Sequence, residues 1–297
     1  MSVLKKKRKA APTYYVVKRS KPGELWHRFK QNKMAFVSLI VLGIIVIACI
    51  LAPIIAPYDP AKQNLTERFT YPCLAHLCGT DDFGRDILTR ILYGGRISLL
   101  VALMSVLIAF VVAMFLGSLC GFYGGIVDST IMRVVDIFMA IPGLLLTLSI
   151  SAALGPGLLN TAIAMGVSSI SPLTRVLRSS ILLLKDQEYM TAARSFGASD
   201  KKIILTHLIP NAMAPVIVQF SMSIGGAITG IAGLSFLGLG VQPPTREWGN
   251  MLSSGQQYIR QFWPLITFPG IVIAIVMLCF NLLGDGLRDA LDPRLKK

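Results

Sequence analysis

The chain has 297 residues, of which 54% are hydrophobic and only 15% charged, and its formal net charge is +14. A soluble domain would carry about 25% charged residues, whereas several uncharged runs here reach the roughly 20 residues that a membrane-spanning helix needs. Composition therefore excludes an ordinary soluble domain. The positive charge predicts inner loops and contact with anionic lipid, not nucleic-acid binding, because the basic residues fall mostly on one side of the predicted spans.

The apolar runs predict an all-α membrane protein with six transmembrane helices and both termini in the cytoplasm. The expected spans cover about 34–56, 97–122, 130–154, 158–183, 213–234 and 264–284. Pro172 is expected to kink the fourth span. Glycines at the end of the second span, among them Gly117 and Gly121, predict close helix approach.

Four regions follow from this pattern. Residues 1–33, with the basic run Lys5–Lys9, form a cytoplasmic segment that is not expected to be cleaved. Residues 34–96 hold the first span and an extracytoplasmic loop, residues 97–286 a five-helix core, and residues 287–297 a cytoplasmic tail. A polar hairpin, 188–210, interrupts the core.

That hairpin is the longest polar passage between two apolar regions. Good helix formers open it at Glu188, Gly197 is expected to end the first helix, and Ser199 is a candidate N-cap for a second. Pro210 is expected to end the second helix and begin the next span. A connection between spans usually takes about 2–8 residues, so a structured segment of this size indicates a docking surface.

Three further features have open interpretations. Cys73 and Cys78 in the outer loop are either a disulfide or two free thiols. Arg133 and Asp136, three apart on one helix face, are a candidate ion pair with a structural or gating role. The passage around Trp248 is expected to form a partly inserted loop with this side chain at the membrane interface.

The chemistry that the sequence lacks limits the function. It contains no GxxxxGK[ST] phosphate-binding loop, no metal-ligand spacing and no support for a catalytic triad. It has no series of intramembrane carboxylates such as a proton-coupled carrier would use. We therefore expect a transport subunit that is not an enzyme, binds no cofactor itself, and receives energy through the hairpin.

The hairpin resembles the coupling loop of ABC importer permeases, whose pattern is EAA, three residues, Gly, nine residues, then I-x-L-P. Ala192 and Ala193 occupy the alanine positions, and Gly197 and Pro210 stand at the expected distances. Thr191 replaces the usual glutamate, and His207 and Ile209 replace the isoleucine and leucine. Glu188, one turn earlier, is a candidate substitute carboxylate.

Three more passages are similar to the second membrane subunit of the dipeptide/oligopeptide/nickel importer family. They are GTDDFGRDILTRILYGGRISL at 79–99, SFLGLG with PPTREWGNML at 235–252, and FNLLGDGLRDALDP at 280–293. With the coupling pattern, the resemblance covers nearly everything after about residue 24. It implies the type I ABC importer permease fold in the cytoplasmic membrane of a bacterium.

The resemblance also implies partners: a paralogous permease, two ATPase subunits that bind ATP and magnesium, an extracytoplasmic binding protein, and the lipid bilayer. The hairpin residues that it assigns to ATPase coupling are Glu188, Thr191, Ala192, Ala193, Gly197, Lys201, Lys202 and Pro210. The region 79–99 and the Trp248 loop are candidate contacts for the binding protein.

The cargo implied is a di- or oligopeptide. Nickel or a metal chelate is the alternative within the family, with His76, Cys73 and Cys78 as its only support. A secondary carrier or a purely structural subunit are rival interpretations from other classes.

Overall fold

A computed structural model describes residues 22–291, so the predictions for Lys5–Lys9 and for the last residues of the tail lie outside the described residues. The described part is helical and contains no β-strand, only one isolated bridge between Thr80 and Asp86. Its α-helices are α1 Pro22–Gln31, α2 Lys33–Ile50, α3 Ala52–Ile55, α4 Ile87–Tyr123, α5 Gly125–Ala140, α6 Gly143–Leu154, α7 Leu158–Leu184, α8 Glu188–Ser195, α9 Asp200–Ile203, α10 Ile209–Phe236, α11 Trp248–Gly255 and α12 Pro264–Leu291.

Four helical stretches are long and apolar enough to cross a membrane: α2, α4, α12 and the continuous stretch Asp200–Phe236, which includes α10. The pair α5 and α6 adds a fifth if it is one broken span. Helix α7 has 27 residues but is less apolar, because hydroxyl side chains and two arginines interrupt it. The all-helical prediction is confirmed, while the count of six spans stays a prediction.

The third predicted span is not one straight helix. It breaks between α5 and α6, which meet at 92°. Ile141 has extended backbone angles (φ −85°, ψ 127°), and Pro142 follows it. Proline disfavours the helical conformation of the preceding residue and offers no amide hydrogen, so the helix ends there.

Helices α4 and α7 pack along each other through two glycines, Gly117 and Gly121, as the sequence predicts. A β-carbon on Gly117 would lie 3.0 Å from the β-carbon of Leu177, and one on Gly121 would lie 2.6 Å from Cγ2 of Ile181. Neither distance leaves room for a side chain. The close approach fixes α7, which leads into the polar hairpin, against α4.

Helix α10 packs against α4, α7 and α12, and α2 lies against α12 and α4. The short helix α11 packs against α10 and α12. Buried side chains from these helices form one large hydrophobic cluster, and a second, smaller cluster lies beneath the hairpin. The hairpin therefore has a core of its own at one end of the bundle.

Candidate functional site

The hairpin consists of α8 and α9, joined by a turn at Gly197. The amide of Gly197 donates to the carbonyl of Arg194 at 2.9 Å, and the amide of Ala198 donates to that of Ala193 at 3.1 Å. These two bonds and the left-handed φ of +76° at Gly197 form a Schellman motif, which satisfies the last carbonyls of α8. Nothing lies within 4 Å of a β-carbon built on Gly197, so the backbone angle, not space, requires glycine there.

The second helix does not end at Pro210 as predicted. Ser199 is the N-cap residue of α9, although its side chain makes no capping bond. One turn of π-helix, Ile204–Leu208, then joins α9 to α10 without a break, and Pro210 lies in the first turn of α10. The wider turn accommodates the missing proline amide, and the Asn211 side chain donates to the His207 carbonyl at 2.6 Å.

Apolar side chains hold the hairpin to the bundle. Met190 of α8, Ile203 of α9 and Leu208 of the π turn are almost completely buried. They join a cluster with Phe122 at the end of α4 and with Ile181 of α7. Because each fully buried side chain of this size contributes about 1.5–3 kcal/mol, the hairpin is fixed to the ends of α4 and α7.

The residues predicted to engage an ATPase lie on the opposite, outer side of the hairpin. Glu188, Thr191, Ala192, Gly197, Lys201, Lys202 and Pro210 are exposed, and Ala193 is half-buried. Ala193, Gly197 and Lys202 line a concavity of about 550 Å³. Partial burial raises the pKa of Tyr189, which also lines it, so this phenol stays neutral.

Sequence reasoning missed the most exposed aromatic side chain of the hairpin. Phe196, the C-cap of α8, is 90% exposed at the tip of the hairpin, beside the same concavity. A large exposed aromatic side chain on a rigid turn is typical of an interface anchor. Its place between a helical alanine pair and a glycine was the signal available in the sequence.

The opposite end of the bundle contains a buried polar network. Glu247, 1% exposed, caps α11 and accepts from the amides of Gly249 and Asn250 at 2.8 and 2.9 Å. It also accepts from the Ser98 hydroxyl of α4 at 3.0 Å. Sequence reasoning missed Glu247, because its burial depends on a partner 149 residues away.

A tryptophan that contacts the membrane interface, as predicted for Trp248, would be exposed, but Trp248 is not. Its side chain is fully buried, and the indole N–H donates to the carbonyl of Ile91 at 2.9 Å. Gly95 makes room for it, since a β-carbon there would lie 2.6 Å from the indole ring. The Trp248 side chain is thus part of the core and is not accessible to a binding protein.

Two parts of the chain match known families. Residues 113–297 match the binding-protein-dependent transport system inner membrane component, and residues 23–72 match the N-terminal transmembrane domain of oligopeptide transport permease C. The chain belongs to this family of transport permeases.

Curated relatives of the permease match over nearly its whole length. A di/tripeptide transport system permease protein DppC of Pseudomonas aeruginosa is 44% identical over 279 residues, which cover 92% of each chain. Dipeptide transport system permease proteins DppC of Haemophilus influenzae and Escherichia coli are 44% and 45% identical, and the matches cover 92% of the permease and 95% and 93% of those chains.

Solved structures show the same fold at low sequence identity. The inward-facing MetNI methionine ABC transporter matches with a TM-score of 0.56 at 18% identity, over 69% of the permease and 98% of that chain. An amino acid ABC transporter matches with a TM-score of 0.52 at 14% identity, over 68% and 94%. The ABC importer permease fold is confirmed.

Asp136 has a different partner from the one predicted. Its carboxylate lies 2.5 Å from Nη2 of Arg175 on α7, and Arg133 forms no salt bridge within residues 22–291. A second bridge between the same helices joins Asp128 to Nε and Nη2 of Arg178, both at 2.5 Å. The acidic side chains of α5 face α7, so packing between helices decides the pairing.

The outer loop is held by its own charged side chains. Asp81 is buried and pairs with Arg85 at 2.7 Å and with Arg90, and His76 lies 3.0 Å from Asp86. Cys73 and Cys78 are free thiols in this loop. In the described part of the chain, no group of three His, Cys, Asp or Glu side chains is placed to hold a metal ion.

Proposed function

We propose that the permease is one of two membrane subunits of an ATP-driven, binding-protein-dependent importer of di- and tripeptides. The proposed cargo is inferred from two curated relatives, which are named a di/tripeptide and a dipeptide transport permease and match 92% of the chain. A paralogous permease would complete the pore, and two ATPase subunits would bind ATP and magnesium and hydrolyse the nucleotide. An extracytoplasmic binding protein would deliver the peptide.

The observation that carries the coupling role is the hairpin itself. Its inner side is fixed by Met190, Ile203 and Leu208, while Phe196, Lys201 and Lys202 are free to meet a partner. A rigid, exposed element on the end of a span transmits movement, whereas a flexible loop would absorb it. ATP binding would close the ATPase pair and thereby move α7 and α10, which flank the hairpin.

The proposed topology has six spans: α2, α4, the broken pair α5–α6, α7, α10 and α12, with the hairpin and both termini in the cytoplasm. Its support is the excess of basic residues in the segments on the hairpin side. Single cysteines at Lys62 and Ser199, in a chain whose native cysteines are replaced, test it. Only the cysteine at position 62 should react with an impermeant maleimide added outside intact cells.

The importer itself is tested by purifying the tagged permease in mild detergent and identifying what accompanies it. Recovery of a second permease and two ATPase polypeptides is expected. The complex, reconstituted with the binding protein outside and ATP inside the vesicles, should take up a labelled dipeptide and not Ni²⁺. Uptake of Ni²⁺ alone would contradict the peptide cargo, and transport by the isolated chain would contradict the ATP-driven assembly.

A further inference from the structure

A cavity of about 570 Å³ lies at the end of the bundle away from the hairpin, between α2, α4 and the loop before α11. Its wall is largely apolar and includes Val46 and Ile50 of α2 with Leu100 and Leu103 of α4. Leu100 and Leu103 are 48% and 41% exposed on a helix long enough to span the membrane. This part of the cavity therefore opens toward the acyl chains of the bilayer.

Two arginines, Arg96 and Arg246, line the same cavity. Within residues 22–291 neither guanidinium forms a salt bridge, and no acidic side chain lines the cavity. The Arg246 guanidinium lies 5.9 Å from the ring centre of Tyr93, a cation–π distance. Two cations without a carboxylate beside an apolar wall match the chemistry of a phosphate group attached to a hydrocarbon chain.

The buried network described above holds Arg246 in place. Its neighbour Glu247 is bonded to Ser98 of α4, and Trp248 is bonded to Ile91 of the same helix. A β-carbon on Gly94 would lie 3.7 Å from the backbone carbon of Arg246, so the loop touches the surface of α4 there. The position of Arg246 beside α4 is thus set by side chains that are themselves fully enclosed.

The depth of the two cations fits a lipid headgroup. Phe122, at the other end of α4, packs beneath the polar hairpin. Arg96 precedes it by 26 residues, which is about 39 Å of straight helix, against about 30 Å for the hydrocarbon core of a bilayer. With Phe122 near one interface, Arg96 lies at headgroup level on the opposite side.

We propose that this cavity binds one anionic phospholipid, with the phosphate between Arg96 and Arg246 and an acyl chain along Leu100 and Leu103. A protein surface is a poorer match, because it would have to supply carboxylates for both guanidinium groups within an apolar contact. The bound lipid would fill the gap between α2 and α4 at the end of the bundle that faces away from the ATPases. The proposal does not depend on which cargo the permease transports.

The experiment measures phosphatidylglycerol that is retained by the purified, assembled importer, using native mass spectrometry after washing in detergent. The variant Arg96→Gln with Arg246→Gln removes both cations. Arg68→Gln with Arg260→Gln is the matched control, because it makes the same change of charge at two exposed arginines outside the cavity. Leu100→Trp keeps both cations but fills the apolar part.

Each basic residue near a phosphate layer contributes about 5-fold to lipid binding, so loss of both should lower retention by about 30-fold in the Arg96/Arg246 variant. Retention in the control should not fall. Leu100→Trp should lower retention as well. Palmitoyl-oleoyl phosphatidylglycerol should raise the melting temperature of the unmodified complex and of the Arg68/Arg260 control, but not that of the Arg96/Arg246 variant. Equal retention in all variants would overturn the proposal.

Two other results would identify a different occupant and would also overturn it. If inorganic phosphate stabilises the complex as well as the lipid does, and Leu100→Trp has no effect, the site takes a free anion. If a photo-crosslinker at Leu100 reacts quantitatively with another polypeptide of the importer, the cavity is a subunit interface.

Discussion

The two ends of the helical bundle are built on opposite principles. At the hairpin end, the predicted partner-binding side chains are mostly exposed, and the side chains buried beneath them form an apolar cluster. At the other end, buried polar side chains bond within the chain. Glu247 and Trp248 form hydrogen bonds with α4, and Asp81 pairs with Arg90. At one end these buried polar side chains find partners within the chain, and at the other the polar side chains are left for contacts outside it.

Because of this difference, we expect substitutions at one end to change the stability of the fold and substitutions at the other to change coupling to the ATPase subunits. A buried polar group that loses its partner leaves other groups unsatisfied, so changes at the Glu247 end should act on folding. An exposed side chain on the hairpin has no partner to leave behind within the chain, so changes there should act on the assembled importer. The difference can be tested by comparing similar residues at the two ends, or similar residues that differ in burial.

The largest effect is expected for Glu247→Ala. The substitution leaves the Ser98 hydroxyl and the amides of Gly249 and Asn250 without an acceptor, at about 1–3 kcal/mol for each buried group. Glu188→Ala is the matched control, because Glu188 is also a carboxylate at the start of a helix but is exposed; we expect a change within about 1 kcal/mol there. Thermal unfolding of both variants in detergent measures the difference, and similar melting temperatures would contradict the contrast between the ends.

The second comparison uses two glycines with nearly the same positive φ, a backbone angle that other residues disfavour. Gly197 has a φ of +76° and Gly238 a φ of +77°, and a β-carbon on either has no neighbour within 4 Å. Replacing each by Leu should cost about 1–2 kcal/mol, because side chains disfavour the left-handed region. Only Gly197→Leu should also lower peptide-stimulated ATP hydrolysis and uptake by the assembled complex.

Asparagine tolerates the left-handed region, so Gly197→Asn should recover most of the coupling. ATP hydrolysis and uptake are measured side by side in proteoliposomes with equal amounts of assembled complex. Unchanged coupling in Gly197→Leu, or an equal loss in Gly238→Leu, would show that the turn at the hairpin has no special role.

Local rules made the hairpin predictable from the sequence. A glycine in the left-handed conformation and a serine in the extended N-cap position depend on a few adjacent residues, and both are where the sequence placed them. The break at Ile141–Pro142 also follows a local rule, but the largely apolar composition of residues 130–154 concealed it. The π turn before Pro210 was not predictable, because glycine and proline signals do not distinguish a stop from a wider turn.

Partners distant in sequence were not predictable. Asp136 has an arginine three residues away, yet it bonds to one that is 39 residues away, because α5 and α7 are in contact. Glu247 and Trp248 likewise find their partners about 150 residues away, on α4. Spacing along one helix identifies which pairs can form, but packing between helices decides which ones do.

The two salt bridges between α5 and α7 allow a smaller, internal comparison. Arg178 and Asp128 are 28% and 16% exposed and make two bonds, whereas Arg175 and Asp136 are 47% and 59% exposed and make one. Double-mutant cycles with alanine should give a coupling energy of about 1–2 kcal/mol for the first pair and at most about 0.5 kcal/mol for the second. Adding salt should weaken the second pair more. Equal coupling energies would show that burial does not separate the two bridges.

The smallest effect on stability is expected for chemical labelling of the outer-loop thiols. Burial, together with the nearby Asp86 carboxylate, raises the pKa of Cys78 to about 11, while Cys73 is exposed. Only the thiolate reacts, and at about pH 8 roughly one Cys78 side chain in a thousand is ionised. N-ethylmaleimide should therefore modify Cys73 first, and the rate at Cys78 should rise about tenfold per pH unit as the pH approaches 11.

Peptide mapping by mass spectrometry assigns the modified thiol and also tests whether the two cysteines are free in the protein, as they are in the structure. Free thiols predict fast labelling of Cys73 without any reductant. A disulfide predicts that neither cysteine reacts until a reductant is added, after which both do. The same loop contains Asp86, so Asp86→Asn should make Cys78 react faster at a given pH, since removing that negative charge lowers the pKa of the thiol.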